Sequence, residues 1–208
     1  MQLVLASNNA KKLSELKGLL DGLALMVVAQ GDLGIGEADE PHITFIENAL
    51  AKARHASAAA ACPAIADDSG VCVDALGGEP GVVSAHFAGH VRPLSEREAT
   101  RRTQDAANNA LLLQRLEDAP DRSAHFVSTL VAVRHAQDPQ PLVAMGRWPG
   151  HILQAPRGNQ GFGYDPLMFI PALDCTVAEM DAALKNRHSH RARAMAQMRV
   201  LLREVWRV

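Results

Sequence analysis

The chain has 208 residues, 48% of them hydrophobic, with 21 lysines and arginines against 23 aspartates and glutamates; that length supports one compact unit with a sizeable core, and the even charge gives no overall field for nucleic acid or an anionic membrane. The cysteines Cys62, Cys72 and Cys175 are odd in number and form no C-x-x-C pair, which argues against a disulfide framework or a zinc site. No charged segment precedes a long apolar run at M-Q-L-V-L-A-S-N-N, and nothing approaches the ~20 apolar residues of a membrane span, so a protein of the reducing cytoplasm is expected.

In chain order, Leu3-Val4-Leu5-Ala6 reads as a strand, Ser7-Asn8-Asn9 as a polar turn, and Leu13, Leu16, Leu19 and Leu20 as the apolar face of a helix closed by Gly22. Ala24–Gln30 is a second strand candidate, followed by a loop over 31–42 that carries Asp32, Glu37, Asp39 and Glu40. Thr44-Phe45-Ile46-Glu47 has the form of a capping box, opening an alanine-rich helix to about residue 60. Pro63 stops it. Residues 64–66 and 71–76 read as strand on either side of Asp67-Asp68-Ser69-Gly70, and Gly77-Gly78 and Pro80-Gly81 make a turn-rich loop.

A second capping-box match, Ser95-Glu96-Arg97-Glu98, opens a long helix through Asn109, Leu111–Leu113 and Leu116. Two β segments follow, His125–Arg134 and Pro141–Leu153, valine-rich and alternating enough to suggest an antiparallel pair. Gly158–Pro166 is a second glycine-rich loop, and Ser189 can cap a helix with apolar positions Met195, Met198, Leu202 and Val205. This order of elements predicts an α/β protein with a mixed sheet.

Four stretches can carry chemistry. Ser7-Asn8-Asn9-Ala10-Lys11-Lys12 opens a helix after a strand, where free amides, the positive end of the dipole and a lysine together suit phosphate. Plain Ser/Asn capping with solvated lysines explains the same residues. The adjacent Asp67 and Asp68 can hold a hard cation such as Mg²⁺, one ligating it while the other orients or deprotonates a water, with Glu40 or Glu47 completing the site. Turn chemistry explains one aspartate between apolar strands better than two. In Gly161-Phe162-Gly163-Tyr164-Asp165-Pro166 the glycines admit a ligand close to the backbone, and Phe162 or Tyr164 can stack on a base or plug the core. Lys185-Asn186-Arg187-His188-Ser189-His190-Arg191 gathers basic groups at a helix start, suited to an anion or a base edge and equally to solvent.

Together, L-A-S-N-N-A-K-K, T-F-I-E-N-A-L-A-K-A-R, A-I-A-D-D-S-G-V-C-V-D, G-F-G-Y-D-P and S-H-R closely resemble, in order and spacing, the inosine/xanthosine triphosphate pyrophosphatase (ITPase) family over essentially the whole chain. The resemblance implies a single domain over 1–208, a mixed central β-sheet flanked by helices, and a substrate cleft between two lobes. It implies hydrolysis of ITP, dITP or XTP to the monophosphate and pyrophosphate with Mg²⁺, by a homodimer. Carried over residue by residue, Ser7 to Lys12 match the triphosphate loop, Asp68 the catalytic acidic residue and metal ligand, Asp67 its neighbour, and Ser69 a substrate contact. Phe162, Gly163, Tyr164 and Asp165 match the nucleoside loop, Lys185, His190 and Arg191 residues around base and phosphates, and Glu40 a second metal-side carboxylate. Leu184 departs from a common Glu, and Asn8 and Lys11 from common glycines. Cleavage of a different modified nucleotide and non-catalytic nucleotide binding are the rival readings.

Overall fold

Both faces of the first apolar run are buried, which is why it shows no polar alternation. In β1 (Gln2–Leu5), Leu3 and Leu5 enter one core cluster while Val4, with the following Ala6, enters another, as a parallel strand covered on both sides requires. The computed structural model describes residues 1–91 and 97–208. After β1 come α1 (Ala10–Leu20), β2 (Met26–Ala29), α2 (Phe45–Ala60), β3 (Ala64–Val73), α3 (Arg97–Arg115), β4 (Ser123–Val133) and β5 (Leu142–Ile152). β6 (Met168–Ile170), β7 (Cys175–Thr176), α4 (Ala182–His188) and α5 (His190–Leu201) complete the order.

Among the described residues seven strands form one sheet in the order β2-β1-β3-β4-β5-β6-β7. β1 runs parallel to β2, with Leu3 opposite Val27, and to β3, with Leu5 opposite Ile65. β5 and β6, and β6 and β7, are antiparallel. The sheet is therefore mixed and flanked by helices, as the element order predicts.

The chain divides into two compact units: Met1–Asp68 with Ser128–Arg147 and His188–Val208, and Ser69–Val127 with Trp148–Arg187. The first has a core on each face of its strands. Leu16 and Leu20 of α1 and Met195 and Met198 of α5 pack with Leu5 and Ile65 on one face, and Ala49, Ala53 and Ala56 of α2 pack with Val4 and Ala66 on the other. α5 lies unusually close to β5. A Cβ on Gly146 would stand 2.0 Å from the carbonyl oxygen of His190 and 2.5 Å from the amide of Ala194, so only glycine lets the start of α5 reach its place. The second unit is built on Val71, Val73, Leu112, Leu116, Trp148, Tyr164 and Leu167.

Three sequence expectations change. Asp67-Asp68-Ser69-Gly70 is not a turn between two strands, because β3 runs unbroken through it; its polar side chains have charged partners on both faces. Residues 74–76 leave the strand as a 3-10 turn ending at Gly77. Val205 is exposed, since α5 passes into a π-helical turn over Leu202–Trp206 that rotates the last apolar position outward. The capping box at Ser95 and Glu96 lies outside the described residues.

Candidate active site

Consecutive residues of an extended strand point to opposite faces of a sheet, so Asp67 and Asp68 do not share an environment. Asp67 follows Ile65 onto the face covered by α1 and α5. There Ser128 donates its hydroxyl to Oδ1 at 2.6 Å, while Lys12 Nζ lies 3.2 Å and Arg191 Nε 3.5 Å from Oδ2. Arg191 is held from its other side by Glu15, Nη1 to Oε2 at 2.6 Å. Burial alone would raise the pKa of Asp67, but Lys12, Arg191 and the Ser128 hydroxyl outweigh it and hold the carboxyl well below the usual carboxylate range. Asp67 is thus a fixed anion that gathers two cations.

Asp68 follows Ala66 onto the α2 face. Lys52 Nζ donates to Asp68 Oδ1 at 2.8 Å and to Glu40 Oε2 at 3.0 Å, so one ammonium bridges the two carboxylates. The other oxygen, Asp68 Oδ2, is buried and accepts no hydrogen bond from the described residues. Burial, with a contribution from the neighbouring Glu40, pushes the Asp68 carboxyl up to about 6 against the opposing pull of Lys52 and Lys12. Partial desolvation works against ionisation of Glu40, yet the Lys52 charge and hydrogen bond turn its shift downward. Lys52 is itself held above its ordinary value by Asp68 and Glu40 despite desolvation.

The loop that carries Glu40 is fastened by Asn48, a buried residue of α2. Its Oδ1 accepts the amide of His42 at 3.0 Å and its Nδ2 donates to the carbonyl of the same residue at 3.1 Å. Thr44 caps α2, accepting from the amide of Glu47 at 3.3 Å, and its hydroxyl donates to the Glu47 carboxylate. Glu47 is therefore engaged in the cap, while Glu40 stands beside Asp68.

These groups suit a divalent cation on one observation, the unused buried oxygen of Asp68, flanked by a second carboxylate. Mg²⁺ is commonly held by one or two carboxylates plus waters and substrate phosphates rather than by an all-protein cage. The described residues contain no group of three or more His, Cys, Asp or Glu placed to hold a metal.

The turn before α1 leads into the positive end of that helix. Asn9 is the N-cap, its Oδ1 accepting from the amides of Lys11 and Lys12 at 3.1 and 3.3 Å, and Ser7 Oγ accepts from Asn9 at 3.2 Å. No acidic residue stands in the first turn that begins at Ala10, leaving the positive end of the helix uncompensated. Asn8 Oδ1 is buried without a partner among the described residues and fills the space that a side chain at Gly31 would need. Ser189 caps α5 through the amide of Ala192 at 3.1 Å, and His190 and Arg191 in its first turn are buried.

In the second unit, the glycine-rich loop is organised around Asp165. Its Oδ2 accepts the amide of Phe162 at 2.9 Å and pairs with Lys185 Nζ at 2.8 Å. The same ammonium sits 4.6 Å from the centre of the Phe162 ring, a cation–π arrangement. Gly161 has φ +76°, and a Cβ there would strike Asp165 Oδ2 at 2.0 Å, so the loop closes this tightly only on glycine. Of the two aromatics, Phe162 keeps exposed surface, whereas Tyr164 is buried with its hydroxyl donating to the carbonyl of Ser84 at 2.8 Å. Ser69, half-buried, follows Asp68 in β3.

The sequence profile of the Ham1 family matches residues 3–201. The chain belongs to the Ham1 family. It is 67% identical over 206 residues to the dITP/XTP pyrophosphatase of Methylibium petroleiphilum, covering 99% of each chain, and 63% identical to the protein of that name from Leptothrix cholodnii, again over 99% of each. A HAM1 protein from Coxiella burnetii has the same fold, with a TM-score of 0.88 at 39% identity over 99% of this chain and 100% of that one. The Staphylococcus aureus Ham1 protein gives 0.83 at 33% identity over 97% and 98%.

Within this Ham1 chain the first unit gathers Lys12, Asp67 and Arg191 into one cluster and Glu40 and Asp68 into another, and the second gathers Phe162, Asp165 and Lys185. Sequence reading missed Lys52, Asn48, Glu15 and Ser128. Lys52 and Asn48 left a signal: they are four residues apart on the stripe of α2 that otherwise buries Ala49, Ala53 and Ala56, where a lysine and an asparagine need polar partners. Leu184, one of the departures, packs against the core of its unit.

Proposed function

We propose that this Ham1 protein hydrolyses non-standard purine nucleoside triphosphates, among them ITP, dITP and XTP, to the monophosphate and pyrophosphate. This would keep those bases out of nucleic acid. The observation that carries the reading is the buried, unused oxygen of Asp68, on a carboxylate that Lys52 links to Glu40. The names of the relatives supply the substrate class.

Asp68 would serve as the catalytic acidic residue through its unused Oδ2, which with Glu40 would hold the metal and so bring the attacking water to the triphosphate. Lys12 offsets charge gathering on the pyrophosphate that leaves, and Asp67 holds Lys12 and Arg191 where they are needed. The positive end of the α1 dipole adds to the field that favours phosphate there. Asp68 and Glu40 would hold Mg²⁺, which supplies charge neutralisation on the triphosphate and a more acidic water. On the base, the Phe162 ring offers a stacking surface and Lys185 a donor. Donors facing a 6-keto group penalise a 6-amino group, because two facing donors leave both unpaired. Residues 1–208 form a single domain and the protein works as a homodimer in the cytoplasm, as the family resemblance suggests.

Pyrophosphate release measured across ITP, dITP, XTP, GTP, ATP and dUTP tests the substrate class. Preference for the first three is expected, and comparable rates on all six would refute it. Activity should vanish with a chelator and return with Mg²⁺, and light scattering should give twice the mass of the chain.

A further inference from the structure

Gly163 is gripped at both of its backbone polar groups by one helix. Asp105 and Asn109 stand four residues apart on α3 and therefore on the same face. Asp105 Oδ2 accepts the amide of Gly163 at 2.8 Å, and Asn109 Nδ2 donates to the carbonyl of Gly163 at 3.0 Å. The adjacent amide of Phe162 is taken by Asp165, so side-chain carboxylates accept from two successive amides of the loop. The neighbouring face of α3 holds the other end of this region: Asn108 donates to the carbonyl of Ser84 at 3.2 Å, the group that also receives the Tyr164 hydroxyl. The amide of Gly163 is thus already used, which makes this residue an anchor for the loop rather than the group that reads the base.

We infer that Asp105 and Asn109 are positioning residues for purine discrimination: by clamping Gly163 they fix the plane of the Phe162 ring and its distance from Lys185, and so the geometry in which the base is selected. This rests on the proposed reading of the loop as the nucleoside site. A clamp of this kind acts on the base and not on the phosphates, and that separates it from a general loss of structure.

The experiment uses Asn109→Ala, Asp105→Ala and Asp105→Asn in the full chain, with melting temperature, KM and kcat for ITP, XTP and GTP, and inhibition by inorganic pyrophosphate. Loss of one such hydrogen bond should raise KM for ITP and XTP by about tenfold with a much smaller change in kcat, reduce the preference for ITP over GTP, and leave inhibition by pyrophosphate unaltered. Asp105→Asn, which keeps an acceptor for the Gly163 amide, should recover most of the loss. Folded Asn109→Ala protein with unchanged KM and unchanged preference overturns the inference, as does an equal loss toward ITP, GTP and pyrophosphate. If Asp105→Ala does not fold, Asn109→Ala and Asp105→Asn decide by the same criteria. Wild-type enzyme without any preference for ITP and XTP over GTP would refute the nucleoside reading itself; a wild-type preference that the variants keep refutes only the clamp.

Discussion

Asp68 is a residue whose ionised form is the less stable one in the fold. Its carboxyl titrates at about 6 instead of 3.8, chiefly because it is buried. Below the lower value it is protonated folded or unfolded; between the two the unfolded chain gives up its proton first, so stability falls as pH rises through this window. Above it, ionised Asp68 costs the metal-free fold on the order of 2–3 kcal/mol. Asp68→Asn should therefore melt at a higher temperature than the wild type well above pH 6 in the absence of nucleotide, the gap closing toward pH 4, while turnover drops by about 10²–10⁴-fold. Thermal melts over a pH series and a pyrophosphate assay check both. Asp67 has the opposite sign. Its lowered pKa contributes stability that is present above the ordinary value of 3.8 and is lost as pH falls below it. Asp67→Asn leaves Lys12 and Arg191 without their shared anion and should cost about 3 kcal/mol at neutral pH, with a shallower acid limb in urea titrations.

At the scale of elements, α2 does two jobs from one stripe: Asn48 fastens the Glu40 loop and Lys52 spans Glu40 and Asp68. Asn48→Ala should lower stability by about 1–3 kcal/mol and raise the Mg²⁺ concentration needed for half-maximal activity, because Glu40 is no longer held; metal titrations of the variant read this directly. Gly146→Ala forces a methyl group into the start of α5 and should cost several kcal/mol, measured by denaturant unfolding. Much at this scale was legible in the sequence. The run Leu3–Ala6, the Asn9 and Ser189 caps and the Thr44 cap are local signals, and each stands where its pattern says. β3 reads as broken in the sequence because strand propensity penalises Asp, and only partners far along the chain, Lys12, Lys52, Ser128 and Arg191, make two aspartates tolerable in mid-strand. β6, β7 and α4 are three, two and seven residues long, too short for periodicity to register.

For the whole molecule, ligand linkage gives the broadest test. A nucleotide or pyrophosphate bound with Mg²⁺ to the folded chain alone should stabilise it by about 2.7 kcal/mol at a hundredfold excess over Kd, and in Asp68→Asn the metal-dependent part of that gain should be missing. Differential scanning with and without Mg²⁺ separates the two contributions. The near-even net charge leaves any anion to be held by local groups rather than by an overall field. The alternation in β3 has one more consequence. Which aspartate faces Lys52 and which faces Arg191 is decided by whether its distance from Ile65 is odd or even. A one-residue insertion or deletion between Ile65 and Asp67 would exchange the two carboxylates, handing the environment of Lys12, Ser128 and Arg191 to Asp68 and that of Lys52 and Glu40 to Asp67. Adding two residues would restore the assignment but push both groups further along the sheet. The site is therefore written in the parity of a strand, and a frame of single residues, not merely the presence of two acids, is what this stretch of sequence has to keep.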